Sequence, residues 1–194
     1  MTASQLTPDQ ALEVASWLWM LLLLVWVALW FGMKRAKKLE SPLEMLQHGL
    51  PVIVGFWLLF GKQAKWLNDR LWLATPVMLW TGLVLTAAGV GISIWARVSL
   101  GANWSGVVTL KQGHELIRTG LYRWVRHPIY TGILLSFVGT ELIRGRVRGW
   151  LGFAVVLLSF YLKARREEGF LREEFGAGFE EHARRTGMFL PKLT

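Results

Sequence analysis

Leu71-Trp-Leu-Ala-Thr-Pro-Val-Met-Leu-Trp-Thr-Gly-Leu-Val-Leu-Thr-Ala-Ala-Gly-Val-Gly-Ile-Ser-Ile-Trp-Ala96 is twenty-six residues without one charged side chain, the longest such run in the chain. At a rise of about 1.5 Å per residue, a helix of this length crosses roughly 30 Å of hydrocarbon with room for tilt. Gly82, Gly89 and Gly91, with Ala87 and Ala88, put small side chains where a neighbouring helix can approach closely. The chain is therefore predicted to lie in a membrane. Of its 194 residues, 53% are hydrophobic and twelve are Trp. The net charge of +9 is spread over short loops between apolar runs rather than along one helical face. Anionic lipid headgroups, and not nucleic acid, are the counter-charge that this distribution implies. With no cysteine there is no disulfide, no thiolate metal site and no cysteine nucleophile.

Moving toward the amino terminus, residues 61–70 form a polar loop, and an apolar stretch over 43–60 precedes it. Ser41-Pro42-Leu43-Glu44 has the form of a capping box with proline at the first helical position, so a second helix is predicted to start there. Pro51 lies inside it and predicts a kink. His48 has no second imidazole or carboxylate at ligand spacing, and is read as an interhelical hydrogen-bonding group rather than a metal ligand. Lys34, Arg35, Lys37 and Lys38 make a basic knot, and residues 14–33 before it carry no charge. This first apolar run is predicted to be a retained transmembrane helix, because a cleaved signal would carry its basic residues ahead of the apolar core.

On the other side, residues 97–126 turn polar, with a strand-like Val107-Val108-Thr109-Leu110 and a turn at Lys111-Gln112-Gly113. Shorter apolar runs over 129–143 and 147–162 are joined by Arg144-Gly145-Arg146, the pattern of an antiparallel helical hairpin. Residues 163–185 are charged and helical in pattern, with Phe170, Leu171, Phe175 and Phe179 on one face, which predicts an amphipathic helix along the membrane surface. The reading is an all-α integral membrane protein of about five transmembrane helices, with a single domain over 1–194. Sixteen of the 22 basic residues follow the first, third and fifth runs. The positive-inside rule then puts the amino terminus outside and the 97–130 connector and carboxyl tail in the cytoplasm.

Between those polar segments, Gly120-Leu-Tyr-Arg-Trp-Val-Arg-His-Pro-Ile-Tyr130 concentrates cations, an imidazole and phenols at a helix start. Pro128 suits the first helical position and His127 becomes the cap. The free N–H groups and positive dipole end of that helix make a seat for a carboxylate-bearing ligand. Past the last apolar run, Lys163, Glu167 and Leu171 recur at intervals of four and share a helical face.

The ordered set His114-Glu115-Leu116-Ile117, Gly120-Leu121-Tyr122, Arg126-His127-Pro128-Ile129-Tyr130, Glu167-Glu168 and Phe175-Gly176, with the 186–191 tail, resembles the isoprenylcysteine carboxyl methyltransferase family. A broader relation joins that family to the membrane phospholipid N-methyltransferases. The resemblance spans roughly 103–192 and implies an S-adenosyl-L-methionine-dependent enzyme, with S-adenosyl-L-homocysteine as product. It implies a cytoplasmic cofactor pocket formed by the 97–130 connector and the C-terminal helix, within a catalytic part over 97–194 that follows three N-terminal spans in 1–96. His114, Glu115, Leu116, Ile117, Tyr122, Arg126, His127, Pro128 and Tyr130 are the cofactor-binding expectations, with Glu167 on its amino-acid part. His127, Tyr130 and Lys163 are the expected catalytic residues. Lys163 stands where the prenylcysteine enzymes carry arginine, and it lacks that residue's flat two-pronged grip on a carboxylate. No metal is implied, because a sulfonium methyl is already activated. The acceptor is expected to be a lipophilic small molecule or a lipidated substrate drawn from among membrane lipids. Phospholipid headgroup N-methylation and a non-catalytic cofactor-binding membrane protein are the alternatives.

Overall fold

Threonine followed by proline opens two of the long helices. In both, the threonine hydroxyl accepts a backbone N–H three residues on: Thr7 from Gln10 at 3.3 Å and Thr75 from Met78 at 3.3 Å. The computed structural model describes residues 6–30, 36–39, 41–61, 65–101, 104, 109–111 and 116–192. Its long elements are α1 (Pro8–Ala28), α2 (Pro42–Phe60), α3 (Pro76–Leu100), α4 (Pro128–Arg144), α5 (Val147–Phe175) and α6 (Ala177–Arg185). A two-stranded antiparallel ladder joins β1 (Ala36–Leu39) to β2 (Thr109–Lys111). The helical membrane architecture is as the sequence predicts, since α1, α3 and α5 are each long and apolar enough to cross a membrane.

Several boundaries differ from expectation. Thr7 and Gln10 form a reciprocal capping box, so α1 starts at Pro8 and not near Val14, and it ends five residues before Met33. Leu71–Thr75 stays outside α3, because Thr75 caps it and Pro76 begins it, while Arg97 is drawn into its last turn. The largest correction is at the carboxyl end. The charged segment is not a separate surface helix: residues 163–175 continue α5 as one helix. Lys, Arg and Glu are good helix formers, and no proline interrupts them, so the change of composition at Leu162 is no break in the backbone. The helix stops at Gly176, whose φ of 48° suits glycine, and a short α6 follows. The strand-like stretch is paired at Thr109 and Leu110 with the otherwise basic 36–39 segment; Val107 and Val108, like Lys34 and Arg35, lie outside the described residues.

α3 and α4 pack through small residues, as the glycines of the apolar run predict. Gly82 sits against the Gly139 carbonyl and Gly89 against that of Gly132, so there is no space for a Cβ at either crossing. Gly91 differs: it has open space around it. The hydroxyls in this seam satisfy backbone carbonyls, with Ser93 reaching Ile129 at 3.2 Å and Ser136 reaching Thr86 at 3.1 Å. α2 runs antiparallel to α5, where Gly55 lies against Gly152 and Ser159 donates to the His48 carbonyl at 2.8 Å. α1 lies across α4, with Trp19 Nε1 donating to Thr140 Oγ1 at 3.0 Å.

The five long helices thus alternate in direction. At one end, the α4–α5 turn at Gly145 (φ 63°) is clasped by residues 68–72, and Arg144 and Arg148 donate to the Leu59 and Gly61 carbonyls at the end of α2. The other end gathers the finish of α1, the finish of α3, the start of α4 and the charged end of α5.

Candidate functional site

At that second end, the chain leaves a 3-10 turn at Gly120–Arg123 and becomes extended at Val125, which forms a parallel bridge with Gly187 of the carboxyl tail. Arg126 N–H donates to the Gly187 carbonyl at 2.9 Å and His127 N–H to that of Met188 at 3.1 Å. Pro128 then starts α4 with His127 as its cap residue, as the sequence predicts, although the imidazole makes no capping bond. Freed from the cap, the ring turns toward the end of α5.

His127 is 8% exposed and lies between two adjacent carboxylates. Its Nδ1 is 3.4 Å from Glu167 Oε2 and its Nε2 is 3.3 Å from Glu168 Oε1. Carboxylates only accept, so both ring nitrogens serve as donors when the ring is protonated. Burial alone lowers the affinity of this ring for its proton, but the hydrogen bonds to Glu167 and Glu168 outweigh that and hold its pKa above the ordinary 6.5. Glu167 also accepts the Tyr130 hydroxyl at 2.7 Å. Glu168, 1% exposed, accepts Arg126 Nε at 2.7 Å. Arg126 reaches further, donating to the Ala183 carbonyl at 3.3 Å and to that of Thr186, and so ties the end of α6 to the same network.

Aromatic rings stiffen the cluster. Tyr130 stacks on Phe160 at 4.4 Å and lies parallel to His127 at 5.5 Å. Phe189 of the tail stands edge-on to His127 and Tyr130, held there by Thr131, which donates to the Phe189 carbonyl at 2.7 Å. Lys163 is 9% exposed, with its ammonium 5.9 Å from the Tyr130 ring centroid and acting electrostatically on Glu167 one turn away.

Of the residues singled out from sequence, Arg126, His127, Pro128, Tyr130, Lys163 and Glu167 come together. Ile117 and Tyr122 belong to an adjoining cluster with Ala96, Trp104 and Ile129, against which Tyr130 also packs. Leu116 is half-buried, and His114 and Glu115 lie outside the described residues. The sequence pointed to Glu168 only as the neighbour of Glu167 in the motif, and gave no part to Phe160 or Phe189. The spacing of Phe160, Lys163 and Glu167, at i, i+3 and i+7, does mark a shared face of α5. Phe189 had no local signal, because its place depends on tail pairing.

Beneath the polar cluster, an apolar cleft of about 520 Å³ runs between Trp19, Leu23 and Trp26 of α1, Phe56 and Phe60 of α2, and Ile133 of α4. Ile133 is three residues beyond Tyr130 on the same face of α4, so this wall of the cleft begins about one turn from the site.

Fold and site together define a helical membrane protein whose charged centre is assembled at one end of the bundle, above an apolar cleft. The sequence profile of the phospholipid methyltransferase family matches residues 77–178, more than half of the chain, and the chain belongs to that family. Over 115 residues it is 36% identical to a probable protein-S-isoprenylcysteine O-methyltransferase of Oryza sativa subsp. indica, covering 58% of this chain and 60% of that protein. Over 122 residues it is 32% identical to the protein-S-isoprenylcysteine O-methyltransferase of Saccharomyces cerevisiae, covering 61% of this chain and 51% of that one. A solved structure of the eukaryotic intramembrane Ras methyltransferase, isoprenylcysteine carboxyl methyltransferase, aligns with 80% of this chain and 54% of that chain, at 22% identity and a TM-score of 0.48. The chain therefore spans only part of the length of the relatives it matches.

Proposed function

We propose that this chain is an integral-membrane, S-adenosyl-L-methionine-dependent methyltransferase acting on a lipophilic acceptor, similar to isoprenylcysteine carboxyl methyltransferase. The observation that carries the reading is the convergence of Tyr130, His127 and Lys163 on Glu167, one turn of α4 from Ile133 in the wall of an apolar cleft. The donor set suits the cofactor. Glu167 offers a carboxylate to an α-ammonium, the first turn of α4 after Pro128 offers backbone N–H groups to an α-carboxylate, and Tyr122 with Leu116 and Ile117 offers an apolar and aromatic wall. Arg126 fixes Glu168 and α6 around this arrangement. When bound, the cofactor supplies an electrophilic methyl group on sulfonium and is left as S-adenosyl-L-homocysteine.

The chain's own groups favour an acceptor that is already anionic. Both His127 nitrogens face carboxylates, the Tyr130 hydroxyl donates to Glu167, and Lys163 brings a positive charge. None of the three is poised to take a proton, which suits a carboxylate and disfavours a headgroup ammonium that must first deprotonate. Lys163 is the group assigned to hold that carboxylate, and the lipid chain lies in the cleft between α1, α2 and α4, where water is excluded and the reacting atoms are aligned. Headgroup N-methylation is kept as the second reading because the matching family profile is that of phospholipid methyltransferases. In either case the five long helices act as five spans of one domain, the amino terminus lies outside, and the site end faces the cytoplasm, where most basic residues fall.

Calorimetry with S-adenosyl-L-homocysteine, followed by transfer of radiolabelled methyl to an S-prenylcysteine carboxylate or to phosphatidylethanolamine, tests the proposal. Wild-type protein should bind and should methylate the carboxylate; Glu167→Ala should abolish binding in protein that still extracts folded; Lys163→Ala should reduce acceptor turnover more than cofactor affinity. Transfer only to the amine lipid would select the second reading. Binding without transfer to either would leave a cofactor-binding protein and no enzyme.

A further inference from the structure

Arg97 takes no part in the network around Glu167, yet it is among the most deeply buried side chains of the protein, 2% exposed in the last turn of α3. An arginine near the end of a membrane helix ordinarily extends its stem outward until the guanidinium reaches headgroups and water. This one turns inward. Nη1 donates to the Gly101 carbonyl at 2.9 Å and Nη2 to the Leu29 carbonyl at 2.7 Å, so one cation caps the ends of both α3 and α1. Its Cζ lies 4.3 Å from the centroid of the Trp104 ring. Among the described residues no carboxylate pairs with it, and its Nε has no hydrogen-bond partner. Burying a guanidinium without a counter-ion is costly, and helix ends near an interface can be capped by neutral donors or water at much lower cost.

What the burial achieves is visible in the surroundings of Trp104. That indole meets Trp26, in the last turn of α1, at 5.9 Å and Trp30, just past the end of α1, at 6.3 Å. The same ring packs with Ala96, Tyr122 and Ile129. Tyr122 donates its hydroxyl to the Ala96 carbonyl at 3.4 Å, one residue before Arg97. Trp26 lines the apolar cleft, and Tyr122 stands beside Tyr130. The guanidinium is thus the joint between the wall of the cleft and the wall of the polar site.

We infer that Arg97 is a positioning residue: by bonding the ends of α1 and α3 and holding Trp104 on its face, it sets Trp26 and Tyr122 relative to each other, and with them the junction of acceptor cleft and cofactor site. This rests on the methyltransferase reading for the names of the two sites, but not for the geometry. A point charge is insufficient for the task, since a lysine cannot bond two carbonyls in different helices while lying flat on an indole.

The test uses full-length protein in detergent, labelled with 5-fluorotryptophan, with the Trp104 fluorine resonance assigned by its loss in Trp104→Leu. Arg97→Met and Arg97→Lys should both shift or broaden that resonance before any cofactor is added. Both should weaken S-adenosyl-L-homocysteine binding by about tenfold, because part of the binding free energy must then go into re-ordering Trp104 and Tyr122, and about 1.4 kcal/mol corresponds to that factor. Trp104→Leu should weaken binding in the same direction. If Arg97→Met fails to extract folded, Arg97→Lys and Trp104→Leu decide the matter. An unmoved resonance in Arg97→Lys, or wild-type affinity in both Arg97→Lys and Trp104→Leu, overturns the inference. Wild-type protein that binds no S-adenosyl-L-homocysteine refutes the methyltransferase reading instead, and leaves the resonance as the test of Arg97.

Discussion

His127 shows how one side chain can be read for its chemistry only when both its nitrogens are located. Beside Pro128 it suits a cap or a base, but between Glu167 and Glu168 it bridges two carboxylates that favour its protonated form. Its pKa is raised on folding, since bonds to the two carboxylates overcome burial, which would lower it. A group that binds its proton more tightly when folded contributes its full stabilisation below its unfolded pKa, about 6.5, and loses it as pH rises through the raised value. Thermal unfolding followed across that window should therefore show wild-type stability falling with pH relative to His127→Gln, which has nothing to titrate there. Parallel profiles for the two proteins would mean that the imidazole does not carry the proton assigned to it. Lys163 and Glu167 were legible as a helical pair from their spacing, whereas Glu168 was legible only as a neighbour. Its partner Arg126 is forty-two residues away in sequence.

Among the elements, the seam between α3 and α4 depends most on side chains that are absent. Gly89 and Gly132 leave no room for a Cβ, and Ser93 and Ser136 bond across the seam only because the backbones are close. Gly132→Val should destabilise the fold by at least the ~1–3 kcal/mol typical of an overpacked core, seen as a lower unfolding temperature. Gly91→Ala is the contrast. Its Cβ enters open space, and the gain in helix propensity of up to about 1 kcal/mol should leave stability equal or higher. If the two substitutions lowered the unfolding temperature equally, the seam would not lie where it is described. Sequence alone placed Gly89 and Gly91 in one small-residue run. Which of them faces α4 depends on the rotation of α3 about its axis, which packing decides.

For the molecule as a whole, alternation of the five long helices brings the Gly120–Arg123 turn, the end of α5 and the tail to one end and the 68–72 clasp to the other. Because the chain has no cysteine, orientation is open to direct measurement with single substitutions and a membrane-impermeant maleimide. Asp69→Cys should label from outside intact cells, while Arg123→Cys and Glu180→Cys should label only after the membrane is opened. Labelling of all three from one side would remove the five-span arrangement. By itself the sequence determined the membrane class, the helix starting at Pro128 and the pairing of the Arg-His-Pro stretch with the Glu-Glu stretch, because these rest on hydropathy, on proline's missing N–H and on motif order. Only the tertiary structure decided that α5 continues past Leu162, that Phe189 returns to close over His127, and that Arg97 turns inward to join α1 to α3. The last two depend on contacts between residues distant in the chain, which local composition cannot distinguish; the first is masked in the sequence because the change from apolar to charged side chains at Leu162 alters what surrounds the helix and not its backbone.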